Sequence, residues 1–403
     1  MKSVFPKNFL WGASTSSHQI EGGLTNNWSK WELERVPQLS KKQLERGIDN
    51  YISNSKYSCD SFIHYKEDVK VAKEMGLKAY RFSIEWSRIE PEKGVFDFKG
   101  FEYYKALIKE LKKNDIEPVV TIWHWTVPLW LEKEGGVYSK HFIKYFLRMT
   151  KQILENISED VKYWITINEP EVFSTLSLLM GKWPPNKKNI FRFLQFYIFT
   201  FPKIHKGVYG LIKEYSPDAK VSFAKNSAYI QPYNKKIWNV VVANIFRWFA
   251  NDLQVDLVKG YLDFFALNFY FQNSVGIKGI KNENDKVTDL GWWFKPEAIG
   301  LLMKEIYEKY KLPILITENG IAAKNEERRI EWIERTVKAM SECIQSDVEI
   351  IGYLYWSLLD NFEWSDGFSP RFGLVSIDSD TKKRSIKDGG KYYSQIIENN
   401  GII

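Results

Sequence analysis

Eight short runs of mostly apolar, β-branched and aromatic residues recur along the chain. They cover residues 9–14, 79–84, 118–124, 162–168, 220–226, 263–269, 313–317 and 351–357. Nearly continuous apolar runs of this length suit strands that are buried on both faces of a parallel sheet, where water reaches neither side. The hydrophobic pattern therefore predicts eight parallel strands.

Segments with the apolar spacing of helices separate these runs. In 61–75 apolar side chains recur every three or four residues, and Gly76 follows as a helix stop. Further helices are predicted at about 101–111, 139–156, 200–214, 236–258, 296–310 and 325–345. Repeated strand–helix alternation predicts the α/β class and a (β/α)8 TIM barrel. No linker or change in composition marks a second domain, so we expect a single domain over residues 1–403.

Composition and charge exclude several classes of partner. The net charge of +7 is spread along the chain, so no basic block indicates nucleic-acid binding. The apolar stretch 190–201 is too short to span a bilayer and contains Arg192, so we interpret it as a buried helix or loop. We therefore expect neither a nucleic-acid nor a membrane partner, and the oligomeric state stays open.

Cysteine and histidine usage points to a reduced compartment without a metal site. Cys59 and Cys343 are the only cysteines, so no disulfide framework is present, and the five histidines form no cluster with metal spacing. The N-terminal residues 1–6 lack the apolar core of a secretion signal. A cytoplasmic protein is the resulting expectation.

Polar, ionisable or aromatic side chains lie in or at the carboxyl ends of nearly every predicted strand. They are Arg81, His124, Asn168, Glu169, Asn226, Asn268, Glu318 and Trp356. In barrels of this type the carboxyl ends of the strands hold the active site. We therefore expect these side chains, although far apart in sequence, to share one pocket.

Two glutamates at the ends of predicted strands four and seven stand out in this set. Glu169 precedes Pro170, which favours an extended residue before it. Glu318 precedes Asn319 and Gly320, a pair typical of a turn with positive φ. Paired carboxylates, one a protonated acid and the other ionised, are what cleavage of a glycosidic bond needs. The pair therefore suggests a glycosidase.

The chain resembles glycoside hydrolase family 1, the β-glucosidase-type retaining β-glycosidases. The motifs that carry the resemblance occur in the family's order at 5–22, 80–89, 166–170, 316–320, 355–364 and 371–374. Together they span nearly the whole chain. The resemblance implies that Glu169 is the general acid/base and Glu318 the nucleophile of a double displacement through a covalent glycosyl-enzyme.

The same resemblance assigns the supporting residues and implies no cofactor and no metal. Arg81 and Tyr270 would contact the nucleophile. The sugar would be bound by Gln19, His124, Asn168, Asn268, Trp356, Glu363 and Trp364. A glutamate at 169 argues against the thioglucosidase branch, which has glutamine at that position.

The expected substrate is a small β-glycoside or oligosaccharide with a non-phosphorylated glycone. Glu363 stands where phospho-glycosidases carry groups that bind a 6-phosphate, and a carboxylate there would repel phosphate. Glucosides are favoured, with galactosides or fucosides also expected. The region 229–263 is shorter than is usual in the family, so we expect a more open cleft with loose aglycone selectivity. An endo-acting glycosidase, a transglycosidase and a non-catalytic sugar-binding barrel are the alternatives.

Overall fold

Eight parallel strands close into a barrel in the computed structural model, which describes residues 5–35, 54–282 and 286–402. They are β1 Leu10–Ser14, β2 Ala79–Ser83, β3 Glu117–Trp123, β4 Tyr163–Asn168, β5 Lys220–Asn226, β6 Phe265–Phe269, β7 Ile314–Asn319 and β8 Ile350–Trp356. Each strand pairs with its neighbours in sequence, and β1 pairs with β8 to close the ring. The predicted fold class is confirmed, with strand bounds within two residues of those expected.

Among the described residues, eight helices of 11 or more residues surround the barrel. They are α1 Ser61–Glu74, α2 Phe98–Lys113, α3 Phe142–Ile157, α4 Phe201–Tyr215, α5 Ile237–Arg247, α6 Ala298–Tyr310, α7 Glu326–Ile344 and α8 Asp388–Glu398. The side chains of Asp97 and Asn325 cap the starts of α2 and α7 by accepting from backbone N–H groups. The sequence pattern does not predict α8, because Gly389 and Gly390 lower its helix propensity.

Shorter elements fill the loops. Helical turns occur at Ser17–Ile20, Asn27–Arg35, Ser55–Tyr57, Trp86–Ile89, Leu129–Lys133, Gly136–Tyr138, Pro170–Phe173, Ser174–Leu179, Ile190–Leu194, Gln195–Thr200, Trp248–Asp252, Leu253–Leu257 and Trp364–Asp366. Tyr229–Pro232, Gln272–Gly276 and Gly279–Ile280 form a small sheet, and Val375–Ile377 pairs with Arg384–Ile386. The predicted helix at 236–258 is therefore α5 with two further turns.

The stretch 190–201 is helical, but the prediction that it is buried is wrong. Phe193 and Phe196 face the core, whereas Phe191 and Phe199 are 80% and 60% exposed. Apolar residues occupy both faces of this helix, so only one face can pack against the barrel. The other face is left in contact with solvent.

The inside of the barrel is layered. Small and branched side chains at Ala79, Val119, Ala224, Ala266 and Leu354 belong to one buried cluster contributed by several strands. Successive side chains on a strand alternate between the two faces, so residues two positions further on face the same way. Those residues are Arg81, Thr121, Asn226, Asn268 and Trp356. An apolar floor therefore supports a polar layer at the carboxyl ends of the strands.

Cys59 and Cys343 are both buried and free. Within the described ranges, no three His, Cys, Asp or Glu side chains are grouped so that they could share a metal ion. None of the described helices combines the length and hydropathy needed to cross a bilayer.

Candidate active site

Irregularities in two strands precede the two predicted catalytic glutamates. The register of β4 against β5 shifts between Ile165 and Asn168, and that of β7 against β6 shifts between Ile316 and Glu318. An extra residue in a strand re-aims the side chain that follows it. Both glutamates are thereby available to the polar layer of the barrel.

Glu169 does not have the extended conformation that Pro170 favours in the residue before it. Its φ is 41°, in the left-handed region, and its backbone N–H donates to the carbonyl of Ala224 at 2.8 Å. Pro170 opens the short helix that follows, where a missing N–H costs no hydrogen bond. A strained residue of this kind costs about 1–3 kcal/mol and is typical of functional sites.

Asn319 and Gly320 do not form the predicted turn. Strand β7 continues through Asn319, whose side chain donates to the carbonyl of Phe269 at 2.6 Å and accepts from the Trp332 indole at 3.1 Å. Gly320 is needed for space, since a Cβ there would lie 1.8 Å from the carbonyl oxygen of Trp356. The pair therefore locks β7 to its neighbours.

Glu318 is held by a donor on each carboxylate oxygen. Arg81 Nη1 donates to Oε1 at 2.5 Å, and the Tyr270 hydroxyl donates to Oε2 at 2.6 Å. The side chain of Arg81 is fully buried and that of Glu318 is 5% exposed. Charge-assisted bonds in such a water-poor site fix the carboxylate firmly. Arg81 and Tyr270 thus both contact Glu318, the residue expected to be the nucleophile.

Arg81 also connects the two halves of the site. Its Nη2 donates to Asn168 Oδ1 at 2.7 Å, and its Nε donates to Thr121 Oγ1 at 3.0 Å. Asn268 Nδ2 donates to the same Asn168 oxygen at 3.2 Å and to Glu169 Oε1 at 2.8 Å. One continuous network therefore orients both glutamates.

Glu169 lies in surroundings that favour its protonated form. Burial raises the pKa of its carboxyl well above the ordinary value, and the nearby charges of Glu318 and Glu171 raise it further. Hydrogen bonds from Asn268 and Asn226, at 2.8 and 3.0 Å, oppose this without reversing it. Of the two glutamates, Glu169 is thus suited to donate a proton.

A buried ion pair supports Glu169 and was missed at the sequence level. Lys225 Nζ lies 3.3 Å from Glu171 Oε1, and its side chain is 1% exposed. Glu171 Oε1 also accepts from the backbone N–H of Asn226 at 2.7 Å, and Asn226 in turn bonds Glu169. A lysine inside a strand buried on both faces requires a partner of opposite charge, so Lys225 in the run 220–226 was the sequence feature that could have indicated this ion pair.

Gln19, Trp356 and Glu363 meet at one end of the pocket. Gln19 Nε2 lies 3.2 Å from Glu363 Oε2, and the Trp356 indole donates to Oε1 at 3.2 Å. Gln19 is itself fixed by Ser16, Asn361 and the carbonyl of Phe362. Burial raises the pKa of Glu363 to about 8, so at neutral pH this carboxyl can donate a hydrogen bond.

His124 presents a free ring nitrogen. Asn168 Nδ2 donates to its Nε2 at 3.0 Å, because the amide oxygen of Asn168 already accepts from Arg81 and Asn268. The proton of the neutral ring is thereby placed on Nδ1, which is buried and has no partner among the described residues. Burial and the charge of Arg81 lower the pKa of His124 well below its usual range.

Trp364 belongs to an aromatic wall. Its ring centroid lies 5.8 Å from that of His124, in a stacked arrangement, and 4.7 Å from that of Trp125. Trp28 and Trp183 pack against it from the other sides. The Trp125 indole donates to the carbonyl of Asn168 at 2.7 Å, which ties the wall to the polar layer. The structure therefore brings all eleven predicted site residues into connected positions.

Comparisons with known proteins find similar sequences and structures over nearly the whole chain. The sequence profile of glycosyl hydrolase family 1 matches residues 1–258 and 248–402. A 1,4-beta-D-glucan glucohydrolase of Thermotoga neapolitana is 31% identical, over 99% of both chains. A beta-glucosidase from Thermotoga maritima, solved in complex with glucoimidazole, superposes with a TM-score of 0.91 at 30% identity and full coverage of both chains.

An aryl-phospho-beta-D-glucosidase of Bacillus subtilis is also similar, with 28% identity over 98% of both chains. The alignment to the Thermotoga neapolitana protein runs over 446 positions against the 403 residues of this chain. That relative therefore contains insertions that this chain lacks.

Proposed function

Because the chain belongs to glycosyl hydrolase family 1 and is a β-glucosidase-type glycosyl hydrolase, we propose that it hydrolyses neutral β-D-glucosides with retention of configuration. The observation that carries the proposal is the different environment of the two glutamates. Glu318 is held by Arg81 and Tyr270, whereas Glu169 is buried, receives only amide donors and has a raised pKa. This difference supports Glu318 as the attacking carboxylate and Glu169 as the proton donor.

In the first step Glu318 attacks the anomeric carbon while Glu169 protonates the leaving oxygen. The bond from the sugar to its aglycone breaks as the ester to Glu318 forms. The negative charge of Glu318 helps to raise the pKa of Glu169, and esterification removes this charge. The pKa of Glu169 then falls, so in the second step Glu169 accepts a proton from a water that attacks the anomeric carbon. The bond from this carbon to Glu318 breaks and the carboxylate of Glu318 is released.

The far end of the pocket would bind the glycone. Glu363 and Gln19 offer paired donors and acceptors for sugar hydroxyls. Trp356 offers an apolar ring for the sugar face. Galactosides and fucosides are further expected glycones.

A neutral glycone is favoured by the lack of cations in the loop that carries Glu363. Residues 357–370 contain no Lys or Arg, and Arg371, which follows them, lies 4.0 Å from the carboxylate of Asp360. Binding of a phosphate dianion needs cationic or multiple backbone donors. The expected repulsion by Glu363 is weaker than the sequence suggested, because this carboxyl has a pKa of about 8, but nothing in the loop would attract a 6-phosphate.

A panel of p-nitrophenyl β-glycosides tests this function. We expect the glucoside to be turned over, with galactoside and fucoside next, and the 6-phosphoglucoside at least 100-fold more slowly by kcat/KM, as a rough scale for an unmatched charge. Proton NMR of the glucoside reaction should show the β-anomer of glucose first. An α-anomer would exclude retention, and a 6-phosphoglucoside as the best substrate would exclude the neutral glycone.

The Glu171–Lys225 ion pair predicts the direction of two pH shifts. The charge of Glu171 raises the pKa of Glu169, so Glu171→Gln should move the alkaline limb of kcat/KM to lower pH. Lys225→Met removes the cation that balances Glu171, so it should move the same limb to higher pH.

Both variants should be followed by circular dichroism at each pH to exclude unfolding. Glu155→Gln, an exposed change of the same kind on the outer helix α3, serves as the matched control and should leave the limb in place. Shifts of the same sign in Glu171→Gln and Lys225→Met would mean that Glu171 loses its charge without Lys225 or that the pair acts through packing.

A further inference from the structure

One face of the molecule combines exposed apolar side chains with unpaired cations. Of the 20 large apolar side chains that are exposed among the described residues, 14 lie in the segments 180–200, 233–248 and 277–281. Phe191 and Trp238 are 80% and 70% exposed. We call the exposed residues of these three segments the basic apolar face.

The three segments form one surface. The rings of Tyr197 and Phe249 stack with centroids 5.1 Å apart, which joins the helix at 190–200 to the extension of α5. The N–H of Ile277 donates to Asn239 Oδ1 at 3.0 Å, which joins the small sheet to α5. The three segments are therefore joined by direct contacts.

The charges of this face have a single sign. Its three segments contain no Asp or Glu, and eight exposed cations lie in them, Lys182, Lys187, Lys188, Arg192, Lys235, Lys236, Lys278 and Lys281. Among the described residues, none of these eight forms an ion pair with a carboxylate. Arg247, at the edge of the face, does pair with Glu305 at 3.8 Å. An apolar surface whose three segments carry cations and no carboxylate is complementary to an anionic, partly apolar partner.

The face adjoins the mouth of the pocket. Its segments follow β4, β5 and β6, whose carboxyl ends carry Glu169, Asn226 and Asn268. Trp183, in the first segment, packs against Trp364 of the aromatic wall, with ring centroids 6.2 Å apart. Whatever binds to the face is therefore held beside the cleft.

We infer that the basic apolar face docks on the surface of an anionic lipid bilayer and presents the cleft to β-glycosides with a lipid aglycone. Apolar side chains enter the headgroup region, and lysines and arginines around them contact anionic headgroups. A second copy of this chain fits less well, because a twofold contact would place the same cations against one another. This inference rests on the proposed β-glycosidase function, whose substrate class it narrows.

The expectation of no membrane partner came from the lack of a spanning segment. Surface docking needs no such segment, because an interfacial helix lies in the plane of the bilayer. Residues 190–201, interpreted from sequence as buried, provide part of the docking face.

Sedimentation with vesicles tests the inference. The full chain should bind vesicles of phosphatidylcholine with phosphatidylglycerol and bind phosphatidylcholine alone much more weakly, with salt reducing the difference. Trp238→Ser combined with Lys236→Gln should lower affinity for the anionic vesicles by at least about tenfold, since one charge alone contributes about fivefold. Phe98→Ser with Lys99→Gln removes an equally exposed aromatic and a lysine elsewhere and should change the affinity by less than about twofold.

Activity measurements distinguish the docking inference from the proposed β-glycosidase function. Trp238→Ser with Lys236→Gln should keep wild-type kcat/KM on soluble p-nitrophenyl β-glucoside and lose at least about tenfold on an alkyl β-glucoside carried in anionic vesicles. No vesicle binding by the wild type, or equal losses in both double variants, would overturn the docking inference. So would a wild-type dimer that the Trp238 and Lys236 changes dissociate, or tighter binding to duplex DNA than to the vesicles. Inactivity on the soluble glucoside would instead overturn the proposed function.

Discussion

Glu318→Gly should lower kcat on an aryl β-glucoside by about 10⁴-fold or more, the scale seen when an attacking carboxylate or other essential catalytic group is removed. The hydrogen bonds that hold Glu318 serve catalysis only if this carboxylate is the group that reacts. Arg81 and Tyr270 donate to both of its oxygens, and both donors are buried. Steady-state kinetics with 2,4-dinitrophenyl β-glucoside measures the loss, since this substrate needs no proton donor.

Azide distinguishes the loss of a nucleophile from the loss of the fold. Glycine leaves a space in which azide can attack the anomeric carbon from the face that Glu318 occupied, and dinitrophenolate departs. Turnover should therefore recover in azide and give the α-glucosyl azide. The variant should also keep the wild-type melting profile. A β-glucosyl azide, or activity without azide, would show that another group is the nucleophile.

Glu169→Ala should have the second largest effect, and its size should depend on the leaving group. Removing a general acid costs about 10²–10⁴-fold, and the full cost falls on substrates whose leaving oxygen must be protonated. An alkyl β-glucoside should therefore lose far more in kcat/KM than the dinitrophenyl glucoside. The raised pKa of Glu169, caused first by its burial, is the structural reason for this expectation.

The anomer of the glucosyl azide formed in azide again distinguishes the role of the residue. With Glu169→Ala the dinitrophenyl glucoside still forms the glycosyl-enzyme, and azide then attacks it from the side that Glu169 vacated. The product should be the β-glucosyl azide, opposite to that of Glu318→Gly. Equal losses on both substrates would mean that Glu169 has no role as an acid.

Much of the fold can be predicted from the sequence because the pattern of apolar residues in each run matches the burial of the strand that it forms. Runs such as 313–317 and 351–357 contain no charged side chain, a pattern that a strand buried on both faces favours. Helix α8 could not be predicted, since Gly389 and Gly390 are chosen for space. A Cβ at Gly390 would lie 2.6 Å from the Leu374 carbonyl oxygen.

The site could be predicted where a residue type rarely occurs in a buried strand without a functional partner. It could be predicted less well where tertiary contacts override the backbone preference of the local sequence. Arg81 in a buried strand demanded a carboxylate partner, and Glu318 is that partner. The backbone at Glu169 and at Asn319 could not be predicted. Both positions are set by hydrogen bonds to other strands, at Ala224 and Phe269, which outweigh the preferences of Pro170 and Gly320.

Charged residues inside apolar segments were the signal that sequence reasoning used least. Lys225 stands within a buried strand, and its partner Glu171 follows Glu169 by two residues. Exposed apolar residues at 190–200 were missed for the opposite reason, since hydrophobicity alone does not tell a buried face from a docking face.

Trapping of the glycosyl-enzyme tests most directly the claim that Glu318 is the nucleophile of a retaining β-glucosidase. Incubation with 2,4-dinitrophenyl 2-deoxy-2-fluoro-β-glucoside should inactivate the protein with release of one equivalent of dinitrophenolate. Peptide mass spectrometry should then find the fluoroglucosyl group esterified to Glu318. An adduct on Glu169, or turnover without any adduct and with inversion of the anomeric centre, would contradict the assignment.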